Sequence, residues 1–384
     1  MTAYDAFLLV SFGGPEGPDE VMPFLENVTR GRGIPPERLA SVAEHYYAVG
    51  GVSPINQQCR DLLAAVRADF SANGLSLPVY WGNRNWTPYL TDTVRAMADD
   101  GVRRAIALVT SAYSSYSSCR QYLDDIERAR AAVGPDAPRI DKIRRFFNHP
   151  GFIEPFAEST RAALATLPAD LRDDAHLVFT AHSVPVAMAE GSGPGGGHRY
   201  VAELTEAARL IAERVGGGTH PRTLAYQSRS GPPSQPWLEP DVRDHLGDLA
   251  KSGTQAVVVI PVGFVSDHME VRHDLDVEAA QSADSLGLAF ARAATPGSRP
   301  RFASMVTELV RERLAPPDEA GPDSPVLDSP VLDSTVLDNP MPGDAASPAA
   351  VGDMGVPRQA CPADCCRYAA PVGRPRGSEG SSSA

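Results

Sequence analysis

Short apolar runs separated by helix-length stretches constrain this chain more than any other feature. The runs lie at 6–12, 77–82, 105–112, 176–181, 223–227 and 256–262, with a weaker one at 139–143. Segments such as Ala-Val-Val-Val-Ile do not alternate apolar with polar residues. A strand that is apolar on both faces is buried on both, as in parallel sheets covered by helices. The intervening stretches at 54–73, 87–99, 119–133 and 200–215 have helical length and patterning. There are too many strands for one small sheet. The pattern predicts an α/β fold of two similar βα units, 1–125 and 126–315, facing each other across a cleft. Ligands of such folds bind beyond the carboxyl ends of the strands, so residues just past those ends are the ones to ask about chemistry.

The remaining residues, 316–384, read differently. Pro, Ser, Asp, Ala and Gly dominate, and Val-Leu-Asp recurs at 326–328, 331–333 and 336–338. Such a segment buries too little apolar surface to offset its ordering entropy, so a disordered extension is expected. Near its end stands Cys-Pro-Ala-Asp-Cys-Cys-Arg-Tyr, with Cys361, Cys365 and Cys366.

Bulk charge excludes one class of function. The net charge of −13 is unsuited to a phosphate backbone, so no nucleic-acid partner is expected. No run of 18 apolar residues exists, so no transmembrane segment is expected. The first residues lack the basic start of a signal peptide, which predicts a cytoplasmic protein with its five cysteines reduced. No G-x-G-x-x-G follows the first strand, where the turn is Phe12-Gly13-Gly14-Pro15, and there is no P-loop or G-x-S-x-G motif.

Four segments carry candidate chemistry. In Thr180-Ala181-His182-Ser183-Val184-Pro185 a strand ends at a histidine, which is either a core or capping residue or a base or metal ligand at the cleft. In the run from Pro261 to Glu278, a strand ends at a Pro-Gly turn. His268 follows, with Glu270, Asp274 and Glu278 spaced four apart, in one line if the segment is an α-helix. That line is either a solvated helix face or a path for cations or protons. The turn from Thr110 to Tyr122 offers hydroxyls and aromatic faces, as a helix cap or as a wall for a flat ligand. Arg30 and Arg32 could clamp carboxylates, and Ser53 heads a helix after Gly50-Gly51; ordinary turns read the same way. The three tail thiols, with a fourth from elsewhere, would make a tetrathiolate site for Zn²⁺ or an iron–sulfur cluster.

Taken together, LLVSFGGPEGPDEV, HYYAVGGVSPIN, WGNRNWTP, SAYSSYSSC, FTAHSVP, YQSRSGPPSQPWLEP and PVGFVSDHMEVRHDLDVE resemble the ferrochelatases, above all those of actinobacteria, over roughly residues 5 to 312. The resemblance implies the chelatase fold: two similar Rossmann-like domains, each with a parallel four-stranded sheet. It implies insertion of Fe²⁺ into a porphyrin, with coproporphyrin III favoured over protoporphyrin IX. Another metal chelatase and a non-catalytic haem carrier are the alternatives. His182 and Glu270 become the pair that meets the iron, with His268, Asp274 and Glu278 continuing away from it. Ser53, Tyr122 and Arg30 become porphyrin contacts. Phe12 stands where some bacterial relatives carry a tyrosine able to ligate iron. The resemblance also implies a [2Fe–2S] cluster on Cys119, Cys361, Cys365 and Cys366, and transient contact with neighbouring haem-pathway enzymes. Cys59, inside a predicted helix, is expected to be buried structure.

Overall fold

The computed structural model describes residues 4–31, 33–231, 234–297, 299–314 and 348–368. Arg32 and the Val-Leu-Asp repeats lie outside the described residues.

Two parallel four-stranded sheets form the frame. The first comprises β1 (Ala6–Ser11), β2 (Val79–Asn83), β3 (Arg104–Val109) and β4 (Arg139–Lys142), in the order β2-β1-β3-β4. The second comprises β5 (His176–His182), β6 (Arg222–Gln227), β7 (Ala256–Ile260) and β8 (Ala289–Arg292), in the order β6-β5-β7-β8. The orders are the same, strand for strand. β4 pairs with β3, so the first sheet runs past residue 125, where the sequence suggests a division. β8, Ala-Phe-Ala-Arg, was not among the predicted strands; it is a short edge strand with only one buried residue, and carries too little apolar pattern to be seen.

Alternation along each strand sorts residues between helical layers. Phe7, Leu9, Ile106 and Leu108 face the same core as Leu177, Phe179, Val258 and Ile260. That shared core also contains buried residues of the helices Ile55–Ala72, Pro150–Thr166, Arg199–Gly216 and Pro300–Leu314, which lie between the sheets. The opposite faces are covered separately. Leu8, Val10 and Ala107 pack with the helices Leu90–Asp99 and Gln121–Val133. Val178, Val257 and Val259 pack with the helix Val242–Lys251 and with Leu275 and Ala279. Strands covered on both faces explain the unbroken apolar runs.

Residues 348–368 correct the expectation of a wholly disordered extension. They lie against the body through specific bonds. Val351 N–H donates to Asn148 O at 2.9 Å, Asn148 Nδ2 to Gly355 O at 2.8 Å, and Arg144 Nη2 to Ala349 O at 2.8 Å. Gly352 has φ +80°, a conformation that favours glycine, and a Cβ there would sit 2.0 Å from Glu206 Oε1 and displace that side chain.

Candidate active site

His182 is the last residue of β5, beside the point where the second sheet reverses direction between β5 and β7. The exit of β7 comes close to it because residue 263 is glycine. A Cβ at Gly263 would lie 2.7 Å from Ala181 Cα, and Gly263 N–H donates to Thr180 O at 3.0 Å. The next residues then place Glu270 Oε2 at 3.6 Å from His182 Nε2 and 3.9 Å from His268 Nδ1. His182 Nδ1 is bonded to the carbonyl of Ser183. A carbonyl only accepts, so Nδ1 carries a proton and donates, and Nε2 is the nitrogen that faces Glu270. Tyr200 Oη donates to His182 O at 2.9 Å and anchors the strand end. The His182 ring is about one-third exposed and Glu270 half exposed.

The segment after His268 is not the α-helix that the four-residue spacing suggests. One short turn, Met269–Val271, leads into a π-helix, Arg272–Ala279. In a π-helix the bonds run from i to i+5, so residues five apart stack. His273 and Glu278 are five apart, and with Asp274 they bring three ligand atoms within 4.8 Å of one another. Asp274 takes a hydrogen bond from Ser228 Oγ and one of 3.4 Å from Gln227 Nε2. Burial pushes its carboxyl up to about 6, helped by Glu270 and Glu278; Ser228 and His273 oppose the shift. His268 is lowered, chiefly by burial, and packs edge-on against Phe264 at 5.0 Å. From the opposite lobe, His45 stacks on His273 at 3.8 Å. Burial, with Glu270 nearby, raises Tyr46. His273, Ser228, Gln227 and His45 were missed in the sequence. His273 stood inside the Pro261–Glu278 run, but spacing by four drew attention away from it.

The three expected porphyrin contacts differ in exposure. Arg30 is exposed beyond the helix Pro18–Val28. Ser53 is buried, its amide donating to Pro15 O at 2.8 Å. Tyr122 is buried in the outer core of the first sheet, with the Arg84 guanidinium 4.5 Å from its ring centre. Phe12 is exposed by 36%, at the rim just past β1.

A second site forms where the tail meets the body. A short π-helix, Tyr116–Arg120, follows β3 and carries Cys119. Cys119 stands next to Cys361 and Cys366, and Cys361 next to Cys365. The Cys365 and Cys366 sulfurs are 3.7 Å apart. Gly193 N–H donates to Cys366 Sγ at 3.2 Å, and Arg120 Nη1 to Ala363 O at 2.9 Å. The Cys119 thiol is held well below its usual range, first by Cys361 and Cys366, with Lys142 and Arg145 adding positive charge. Cys59 is a buried residue of the helix Ile55–Ala72, its thiol pushed up to about 11 by burial.

A family model described as ferrochelatase matches residues 4–314. Among curated relatives, coproporphyrin III ferrochelatase of Streptomyces coelicolor is 53% identical over 378 residues, covering 96% of this chain and 94% of that one. The protein of the same name from Nocardia farcinica is 60% identical over 314 residues, covering 81% and 89%. Among solved structures, SirB from Bacillus subtilis with Fe³⁺ is 12% identical at a TM-score of 0.49, covering 82% and 96%; a likeness at that level carries no argument. No helix among the described residues is long and apolar enough to cross a membrane. With nearly all of its two-sheet body matched, the chain belongs to the ferrochelatase family.

Proposed function

We propose that this chain inserts Fe²⁺ into coproporphyrin III, with His182 as the base that takes the pyrrole protons. The observation that carries this reading is that His182, its Nδ1 held by the Ser183 carbonyl, turns Nε2 toward the Glu270 carboxylate 3.6 Å away. Insertion requires two N–H protons to leave the ring while a hydrated cation sheds water. An imidazole fixed with its lone pair outward accepts such a proton without adding charge beforehand. Glu270 stabilises the imidazolium that forms and offers oxygen to iron. Asp274, Glu278 and His273 lie beyond it and supply hard oxygen and nitrogen donors along which iron or protons move. The names of the relatives support the four-propionate substrate, and Arg30 is exposed to meet one of the propionates. Ser53 and Tyr122, both buried before the ring arrives, are the further porphyrin contacts of this reading. The enzyme works in the cytoplasm, with transient contact to enzymes that precede and follow it in haem synthesis. With Fe²⁺ under anaerobic conditions, coproporphyrin III is expected to be metallated many times per chain and faster than protoporphyrin IX, and Arg30→Ala to shrink the preference. Metallation that stops at one ring per chain would mark a carrier, and faster turnover of protoporphyrin IX would reverse the substrate assignment.

The thiols fit a metal centre. Their sequence spacing is not that of a ferredoxin, yet folding brings all four into a ring with one member's proton readily lost. A single tetrahedral Zn²⁺ draws its sulfurs to within about 3.8 Å of one another. Among the described residues only His273, Asp274 and Glu278 place three ligand atoms within 4.8 Å, so the thiol ring is more open than zinc requires. We favour a [2Fe–2S] cluster on Cys119, Cys361, Cys365 and Cys366; such a group supplies one-electron chemistry when bound. Protein purified anaerobically should carry about two irons and two sulfides, lost in Cys119→Ser and kept in Cys59→Ser. One zinc per colourless chain would replace the cluster with a tetrathiolate ion.

A further inference from the structure

Behind the four thiols lies a buried cation that the insertion chemistry does not use. Arg145, just past β4, is 8% exposed. Its Nη1 donates to Glu203 Oε1 at 3.0 Å. Glu203 is buried and held in turn by Ser114, whose amide donates to Oε2 at 2.7 Å and whose hydroxyl donates to Oε1 at 2.8 Å. Arg145 Nε is buried with no hydrogen-bond partner among the described residues. Ser114 belongs to the turn that enters the π-helix of Cys119. The charge of Arg145 acts on both Cys119 and Cys361.

A buried ion pair is a poor way to stabilise a core, because desolvation offsets most of its attraction and apolar residues of the same shape serve as well. An unpartnered buried N–H adds a further cost. Both costs are reduced if a third charge stands beside the pair. Four thiolates around iron or zinc carry net negative charge, and in a medium of low dielectric a fixed cation at short range lowers its energy strongly. Groups standing behind metal ligands in this way orient them and tune the metal. We propose that Arg145 is the charge partner of the thiolate-held centre, a positioning residue locked in place by Glu203 and Ser114. The inference rests on reading the four cysteines as metal ligands.

The signs of its effects are fixed. Reduction adds an electron to the centre, so a nearby cation favours the reduced state and a nearby anion opposes it. Full-length wild type, Arg145→Met, Arg145→Lys and Glu203→Gln, purified anaerobically, would be compared for metal and sulfide content, for reduction potential by spectroscopic titration against mediator dyes, and for the rate of metal loss to a chelator. Arg145→Met should shift the potential negative and release metal roughly 10–100-fold faster. Arg145→Lys should stay close to wild type, and Glu203→Gln should shift the potential positive. If the metal is zinc, the order of release rates decides: fastest in Arg145→Met, near wild type in Arg145→Lys. Circular dichroism identifies a variant that has not folded, in which case the remaining two decide by the same signs and rates. Unchanged potential and release in Arg145→Met, or shifts of one sign in both Arg145→Met and Glu203→Gln, would overturn the proposal. Wild type without thiol-bound metal would overturn the ligand reading first and the proposal with it.

Discussion

At the end of its central strand the first sheet pairs Ser11 with Asn83, and the second sheet pairs His182 with Gln227. The positions correspond strand for strand, and all but His182 are buried. Past the third strand each half forms a π-helix. In the first half it turns Cys119 toward the tail; in the second it stacks His273 with Glu278 beside Asp274. The same frame therefore carries a hydroxyl and a thiol site in one half, and a base with a run of carboxylates in the other. The parallel frame sets where a side chain stands, and the residue placed there, with its neighbours, sets what it can do. Gly263 is part of that setting, since the β7 exit reaches His182 only across a position without a Cβ.

The largest effect is expected at His182. His182→Ala should lower metal insertion by roughly 10²–10⁴-fold, the range for loss of a general base, while porphyrin binding followed by fluorescence quenching stays near wild type. Glu270→Gln keeps shape and removes charge; turnover should fall steeply, though less than for His182→Ala. Asp274→Asn, one step further along, should fall less again. Equal and small effects at both acids would mean that the carboxylates are only a solvated face.

Stability against pH sharpens the same contrast. The Asp274 carboxyl is raised from 3.8 to about 6, chiefly by burial. Between those values the folded state binds a proton that the unfolded state has released. Its contribution to stability is therefore full below 3.8 and lost as pH rises through about 6. The melting temperature of Asp274→Asn should show a smaller fall between pH 4 and 6 than that of wild type, and identical profiles would remove the claim. The smallest effect is expected at Ser11, whose hydroxyl accepts from Thr110 at 3.1 Å. Ser11→Ala should cost about 1 kcal/mol of stability by urea unfolding and leave insertion within about twofold of wild type.

Much of this was legible in the sequence for a physical reason. Strands buried on both faces must be continuously apolar, so seven of the eight appeared as runs or a weak run, and β8, at an edge, did not. His182 stood out because it ends a strand just before a Pro, and Glu270 because it lies past a strand end marked by a Pro-Gly turn; the resemblance paired them. The π-helix could not be read, because its period departs from 3.6 without any signature in composition; His273 was passed over with it. Ser228 and Gln227 close around Asp274 only once β6 lies beside β5. The thiol ring was legible only in part. The tail cysteines are visible as a cluster, and Cys119 is singled out from Cys59 by the resemblance, but the pairing of Arg145 with Glu203 joins residues 58 apart and left no local pattern.

The most direct test of His182 Nε2 as the proton acceptor is chemical rescue. Anaerobic insertion of Fe²⁺ into coproporphyrin III would be followed by its visible bands in His182→Gly, with imidazole added at increasing concentration. The ring of His182 is about one-third exposed, so a free imidazole can reach its place. The account predicts a variant at least about 10²-fold slower than wild type, whose rate rises in proportion to imidazole. A variant that retains more than a tenth of the wild-type rate without imidazole, or one that binds porphyrin normally and gains nothing from it, would contradict the assignment.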